Sequence, residues 1–332
     1  MPKNLILAIC SLTFFLAIAE IALRGLKFHV NQTAGYLKFA CFNFVSDRYT
    51  IPIGTYDPYL FWRFKEKGDF REGRHSLSKP KNIYRIICMG DSTTQGFMLL
   101  PAYVTVEQTY PYQLNEILNK NISTIHFEVI NAGCGGYSSF QGLRYLESEL
   151  LAYNPDLLII WFGINDSARA MLYSDKEQRP TSKIILRSRN LLDHSKFYQF
   201  YRQCLFYLLR KWPDHKPRVS ASDFGANLEA MAKLAKGNNI KVLFIVPFEV
   251  VDSKVVSWFD SPNQYSKIFN DFQKEKIPVL NLAGTFQRLT DAYRYFSDSC
   301  HPRPKGNAII ADAVYKALVE NKIIPVTANG DN

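Results

Sequence analysis

Short apolar runs alternate with longer amphipathic stretches through most of this 332-residue chain. The apolar runs predict β-strands, at residues 84–89, 125–130, 157–162, 242–246 and 278–282. The stretches with apolar residues at helical spacing predict helices, at residues 111–118, 139–151, 224–235, 265–272 and 304–320. The third run is entirely apolar, as expected for a strand whose sheet is covered on both faces. This alternation predicts an α/β fold of three layers around a parallel, roughly five-stranded sheet.

A separate apolar segment opens the chain. Residues 5–19 carry no charge, and apolarity resumes at residues 21–23 after a single Glu. A stretch of this length is just long enough to cross a bilayer. We therefore predict a transmembrane anchor or signal segment at residues 1–23, and we favour an uncleaved anchor with the rest of the chain outside the cytoplasm. The alternative is secretion after cleavage, because Ala17-Ile18-Ala19 fits a cleavage site.

The rest of the chain is predicted to contain a connecting region and one main domain. Residues 24–80 form the connecting region, and we expect it to pack on the core because its aromatic residues at 56–64 are too apolar for a free linker. The main domain is predicted at residues 81–325. A basic, aromatic insert at residues 168–218 interrupts it.

The formal charge of +10 is concentrated in this insert, which has twelve Lys or Arg residues against four Asp or Glu. We expect contact with an anionic surface here, with a solvated basic face as the alternative, and no nucleic-acid partner. One stripe of a predicted helix in the insert combines apolar side chains, namely Phe197, Phe200, Tyr201, Cys204, Leu205 and Leu208. This helix is a lid, a membrane-surface helix or an amphipathic helix packed on the domain.

Four short blocks carry candidate chemistry, and each closes an apolar run or opens a helix. They are Gly90-Asp91-Ser92, Asn131-Ala132-Gly133-Cys134-Gly135-Gly136, Gly163-Ile164-Asn165-Asp166 and Asp298-Ser299-Cys300-His301-Pro302. In a doubly wound sheet such positions display functional groups. Taken singly, each block is also typical of an ordinary turn or helix cap.

Together the blocks supply the side chains of a serine hydrolase. Ser92 lies at a strand-to-helix turn, where its hydroxyl is a candidate nucleophile and its own amide is free to donate. His301 is the candidate general base, and Asp298 is close enough in sequence to orient its imidazole. The Gly136 amide and the Asn165 side chain are candidate oxyanion donors beside the Ser92 amide.

In this order the blocks resemble those of the SGNH/GDSL hydrolase superfamily, whose name lists its Ser, Gly, Asn and His. Ser92, Gly136 and Asn165 match the first three of these residues, and Asp298 with His301 match an Asp-x-x-His-Pro block. The resemblance covers roughly residues 84–320. It implies a flavodoxin-like sheet, an acyl-serine intermediate, and no metal or cofactor.

The N-terminal segment followed by an aromatic region is also similar to bacterial envelope members of this superfamily. We interpret the chain as a membrane-anchored serine esterase, acting on O-acyl groups of envelope glycans or lipids. An O-acyltransferase with the same triad and a catalytically idle glycan- or lipid-binding module are the alternatives. A nucleotide-binding domain is disfavoured, because there is no Walker loop and no G-x-G-x-x-G opens a helix after the first strand.

The six cysteines show no CxxC pair and no metal-ligand spacing. Cys134 and Cys300 both flank the candidate site. They form either a disulfide or a pair of free thiols, because pairing cannot be read from a sequence.

Overall fold

The computed structural model describes residues 3–28, 55–57, 59–63, 66–98, 103–170, 174–177, 184, 188, 191–192, 194–210, 216–252, 254–258 and 264–325. The chain divides into two compact units. We call residues 1–62 with 170–216 the N-terminal unit, and residues 63–169 with 217–332 the sheet unit. The division into 1–23, 24–80 and 81–325 stays a prediction, and residues 29–54 of the connecting region lie outside the described residues.

The strands follow the predicted alternation and add a hairpin. They are β1 Thr55–Asp57, β2 Phe61–Arg63, β3 Ile83–Gly90, β4 His126–Gly133, β5 Leu157–Trp161, β6 Lys241–Ile245, β7 Phe248–Val251, β8 Lys254–Ser257 and β9 Val279–Leu280. Five of them form a parallel sheet in the order β4-β3-β5-β6-β9. This is the flavodoxin-like order, so the predicted fold class is confirmed.

The helices of the described residues are α1 Lys3–Gly25, α2 Ser92–Gln95, α3 Tyr110–Asn121, α4 Ser139–Ser148, α5 Ile164–Ser167, α6 Lys196–Arg210, α7 Ala221–Gly237, α8 Ser266–Lys274, α9 Ala283–Gln287 and α10 Pro304–Glu320. Short 3₁₀ turns lie at Val106–Gln108, Leu150–Tyr153, Asp175–Glu177 and Ala292–Tyr295. The helix predicted at residues 304–320 has its expected bounds. The one predicted at 139–151 ends earlier, and a 3₁₀ turn follows it.

Helices cover the sheet on both faces. Alternate residues of each strand point to opposite sides, so the apolar side chains on each face need a covering layer. On one face, Ile86 and Cys88 of β3 belong to a core cluster with residues of α3 and α10. On the other face, α4 packs against α7. There a side chain at Gly142 would collide with the ring of Phe162, which follows β5. The resulting three layers explain why the strands read as nearly continuous apolar runs.

Residues 66–80 of the predicted connecting region belong to the sheet unit and contact its strands β3 and β4 through partly buried polar groups. Glu72 accepts a hydrogen bond from the amide of Asn131 (2.8 Å). His75 lies 2.8 Å from Glu128, whose carboxylate also accepts from the Nε of the buried Arg85. These contacts place the segment along β4, beside the end of the strand that carries the second sequence block.

In the N-terminal unit, α1 is 23 residues long and has no buried residue. By length and composition it is able to cross a membrane. Helix α6 contains all six positions of the amphipathic stripe predicted in the insert. Parts of that insert, including residues 178–183 and 211–215, lie outside the described residues.

Candidate active site

The four sequence blocks meet at the carboxyl edge of the parallel sheet. Ser92 follows β3, Gly136 follows β4, and Asn165 follows β5. Because β3 lies between β4 and β5, this is the point where the strand order reverses. Open α/β sheets place their ligand sites at such a switch point. Asp298 and His301 reach the same edge from the loop before α10.

Ser92 opens α2, and local contacts fix the turn that presents it. Asp91 is the N-cap, and its Oδ1 accepts from the Thr93 amide (2.8 Å). Gly96 ends the helix in the left-handed region at φ +88°. A side chain at Gly90 would overlap the hydroxyl of Thr94, so this glycine permits close packing of α2 on β3. Ser92 itself stays partly exposed.

Ser92, His301 and Asp298 form a continuous hydrogen-bonded relay. Ser92 Oγ lies 2.8 Å from His301 Nε2, and His301 Nδ1 lies 2.7 Å from Asp298 Oδ2. An ionised carboxylate only accepts, so Nδ1 carries a proton, and in the neutral form of the imidazole Nε2 is left to accept from the serine hydroxyl. The imidazole is therefore in the tautomer that can remove the Ser92 proton.

Asp298 is held as a carboxylate by its surroundings. Partial burial alone would raise its pKa. The hydrogen bond and charge of His301, with the amides of Cys300 and His301, outweigh this and lower the pKa to about 2. The aromatic ring of Phe97 packs edge-on against the imidazole of His301, with 4.7 Å between ring centroids. The hydrogen bond to Asp298 and the ring contact with Phe97 both restrict the orientation of His301.

The hairpin of β7 and β8, which the sequence analysis missed, supports this loop. The amide of Val250 in β7 donates to the carbonyl of Ser299 (2.7 Å). Phe248 packs against Phe296, just before the Asp298 block, and against Phe286. The hairpin thus fixes the loop from the core side.

The loop of the second block packs closely on the serine turn. The Gly135 amide donates to Gln95 Oε1 (3.0 Å), and a Cβ placed on Gly135 would lie 3.9 Å from the Cβ of Ser92. Gly136 has φ +77°, which favours glycine. Asn131, which opens the block, donates to the carbonyl of Thr94 (2.9 Å). The structure therefore brings Gly136 into the neighbourhood of Ser92.

Asn165 has both of its amide hydrogens engaged within the protein. Its Nδ2 donates to Asp91 Oδ2 (3.0 Å) and to the carbonyl of Tyr137 (3.1 Å). Asp91 is buried, which raises its pKa against the opposing effects of Thr93, His301 and Arg218. An oxyanion contact from Asn165 thus requires one of these two hydrogen bonds to be exchanged.

Two residues that the sequence analysis gave no role connect the loops of the site. Arg218 donates through Nη1 to the carbonyl of Gly136 (2.7 Å) and through Nη2 to Gln141 Oε1 (2.9 Å). Asp166 is buried and accepts from the amide and hydroxyl of Ser139, at the start of α4. The sequence carried no local signal for Arg218, because it lies 82 residues from Gly136.

Cys134 and Cys300 are both free thiols, so the disulfide alternative is wrong. Cys300 Sγ lies 3.6 Å from His301 Nδ1, and burial raises the pKa of its thiol. Asp298, Cys300 and His301 offer ligand atoms within 4.8 Å of one another. Asp298 and His301 are already hydrogen-bonded to each other, so a cation bound to both would replace that hydrogen bond and break the relay.

The sequence pattern of the GDSL-like Lipase/Acylhydrolase family matches residues 88–309, which include all four blocks. Among curated proteins, an acetylxylan esterase from Xylanibacter ruminicola is 24% identical over 156 residues. The match covers 45% of this chain and only 30% of that protein.

Solved structures similar to this chain include two bacterial hydrolases. A lipase/acylhydrolase from Enterococcus faecalis is 17% identical with a TM-score of 0.48, covering 74% of this chain and 99% of its own. An acetylxylan esterase from Geobacillus stearothermophilus is 16% identical with a TM-score of 0.48, covering 71% of this chain and 94% of its own.

Proposed function

The chain belongs to the GDSL-like lipase/acylhydrolase family, a family of carboxylic ester hydrolases, and from this premise we propose that it removes O-acyl groups from envelope glycans or lipids through an acyl-serine intermediate. One observation carries the proposal. Ser92, His301 and Asp298 are joined by hydrogen bonds of 2.8 and 2.7 Å at the switch point of the sheet.

In the first step, Ser92 Oγ attacks the ester carbonyl carbon while its proton passes to His301 Nε2. Asp298 holds Nδ1–H and stabilises the imidazolium that forms. The carbonyl oxygen becomes an oxyanion. The amides of Ser92 and Gly136 donate to it, and so does Asn165 after exchanging one of its present acceptors.

Collapse of the tetrahedral adduct then breaks the bond between the carbonyl carbon and the alcohol oxygen. The alcohol leaves with the proton from His301, and the acyl group stays on Ser92 Oγ. In the second step, His301 takes a proton from water, and the resulting attack releases the carboxylic acid and restores the Ser92 hydroxyl.

Two observations favour an acylated envelope glycan as the substrate class, with lipid esters as the second choice. The curated relative is named an acetylxylan esterase, which favours a small acyl group on a polysaccharide. Helix α1 is apolar and long enough to hold the enzyme at a membrane. As part of the proposal, the rest of the chain lies outside the cytoplasm, where envelope glycans are found.

The proposal is tested by labelling the full chain with a fluorophosphonate probe. We expect the wild type to be labelled, and Ser92→Ala and His301→Ala to show no labelling above background. Ser299→Ala is the matched control, because this nearby serine lies outside the relay, and it should be labelled like the wild type. A folded wild type that resists the probe would exclude an activated serine.

Substrate class is then measured as acid release from acetylated polysaccharide, short-chain esters and long-chain esters. We expect free acetate from the polysaccharide without any added acceptor. Acetate that appears only on an acceptor sugar would indicate acyl transfer instead, and faster release from long-chain esters would indicate a lipid substrate.

A further inference from the structure

Glu20, the acidic residue within the apolar helix α1, caps another helix. Its carboxylate accepts from the amide of Lys196 (3.0 Å), the amide of Phe197 (2.9 Å) and the hydroxyl of Ser195 (2.8 Å). These groups form the start of α6, where backbone N–H groups lack partners within the helix. A carboxylate is also the favourable charge at a helix N-terminus. Arg24 completes the contact by donating to Glu20 (2.7 Å).

The position of Glu20 along α1 sets the depth of this contact. At 1.5 Å per residue, residues 5–19 span about 22 Å, which is most of a hydrocarbon core of about 30 Å. Glu20 lies one turn before Arg24 near the end of α1, where a membrane-spanning helix enters the headgroup region. With α1 spanning a membrane, the start of α6 would therefore be held at the boundary between hydrocarbon and headgroups.

Ring contacts fix the first turns of α6 against α1. Phe197 packs edge-on against Phe15 of α1, with 6.3 Å between centroids, and Phe200 against Phe28, three residues beyond the end of α1, with 5.6 Å. Together with the Glu20 cap they bind α6 to α1 through its first five residues. An α1 placed in a membrane would thus bring α6 to the membrane surface.

The composition of α6 fits such a surface. It has three Phe and three Tyr, three basic residues, and no Asp or Glu. Of its described side chains, Phe200, Tyr201 and Leu208 are 40%, 54% and 66% exposed. Positions 201 and 208 are two turns apart on one face. Aromatic residues and Lys or Arg on an amphipathic helix are typical of helices that lie in the plane of a membrane surface.

We propose that α6 lies on the lipid surface beside α1, with its exposed aromatic and aliphatic face between the headgroups of anionic lipids. Glu20 is the positioning residue that couples the two helices. The basic residues of α6 provide the complement to anionic headgroups. The inference rests on the proposed anchoring of α1 and not on the ester chemistry.

Tryptophan quenching by brominated lipids tests the contact in the full chain, reconstituted in phosphatidylglycerol-containing bilayers. Three variants each add one tryptophan: Leu208→Trp in α6, Phe14→Trp in the exposed surface of α1, and Tyr293→Trp on the sheet unit. We expect the fluorescence quenched by brominated lipid to be at least twofold greater in Leu208→Trp and in Phe14→Trp than in the wild type. In Tyr293→Trp it should equal that of the wild type.

The outcomes separate the inference from its premise. If Phe14→Trp is quenched and Leu208→Trp is not, the surface position of α6 is overturned and the anchoring of α1 stands. Absence of quenching at both positions would overturn both. Equal quenching of Leu208→Trp in phosphatidylcholine alone would overturn the preference for anionic lipid.

Hydrogen exchange tests the cap itself. In Glu20→Ala the amides of Lys196 and Phe197 lose their acceptor, so we expect peptides at 195–200 to exchange about tenfold faster. The start of α7, which is capped by Ser220, is the internal control and should not change. Unchanged exchange at 195–200 would contradict the role of Glu20.

Discussion

At the scale of single residues, the candidate site depends on side chains that position its loops without belonging to the relay. Arg218 is the clearest example. Its guanidinium joins the Gly136 carbonyl to Gln141, and Gln141 also accepts from the amide of Ser138. A planar fork with two donors suits this geometry, and Lys cannot reproduce it. Arg218 is therefore a positioning residue for the loop that carries Gly136.

We expect Arg218→Met to lower kcat for a soluble ester by about 10- to 100-fold, because the loop of Gly136 loses the hydrogen bond that positions it. This is less than the loss of about 10² to 10³ for removing an oxyanion donor outright, since the Gly136 amide is displaced and not removed. KM should change less than kcat, and Arg218→Lys should recover only part of the loss. Steady-state kinetics measures both values. Arg294→Met is the control, since Arg294 is exposed and pairs with Asp291. Equal losses in both variants would contradict the positioning role.

The lowered pKa of Asp298 predicts a dependence of stability on pH. The folded pKa of about 2 lies below the ordinary value of 3.8, so the carboxylate stabilises the fold above pH 4. This contribution is lost as the pH falls through about 2. We expect the wild type to exceed Asp298→Asn in unfolding free energy by on the order of 1 kcal/mol at pH 6, after allowing for solvent screening.

Urea unfolding at pH 6, 4 and 3 measures this difference, which should shrink toward the lowest pH. Asp312→Asn is a control, since its carboxylate pairs with Lys316 on the exposed side of α10. A difference for Asp298 that grows as the pH falls would contradict the direction of the shift.

At the scale of elements, the sheet was predictable because its strands are buried on both faces. Burial makes β5 an uninterrupted apolar run, and the amphipathic helices carry their own period. The hairpin of β7 and β8 was missed because each strand has only four residues and buries alternate positions. Its stability comes from packing against distant residues, such as Phe248 on Phe286.

The same distinction applies to the site. Ser92 and Asn165 lie within four residues of the ends of β3 and β5, so their meeting at one edge follows from the alternation of elements. Contacts between side chains far apart in sequence could not be predicted in this way. Examples are the hydrogen bonds from Asn165 to Asp91 and from Arg218 to the carbonyl of Gly136. They depend on loop conformations that apolar patterns do not encode.

At the scale of the whole molecule, the two units predict a separation of tasks. The candidate catalytic residues and the two covered faces of the sheet belong to the sheet unit, whereas α1 and α6 belong to the N-terminal unit. A chain that begins at residue 29 keeps every residue of the relay and loses both α1 and the Glu20 cap of α6. We expect it to leave the membrane fraction.

For a soluble ester, kcat/KM of this shortened chain should stay within about twofold of the full chain, because no relay contact involves residues 3–28. Hydrolysis of an ester presented on anionic vesicles should fall by tenfold or more, since surface attachment no longer concentrates enzyme at its substrate. Cosedimentation with vesicles and kinetics on both substrates measure these effects. If the shortened chain is folded by circular dichroism yet inactive on the soluble ester, α1 contributes to catalysis itself, and the separation of tasks is wrong.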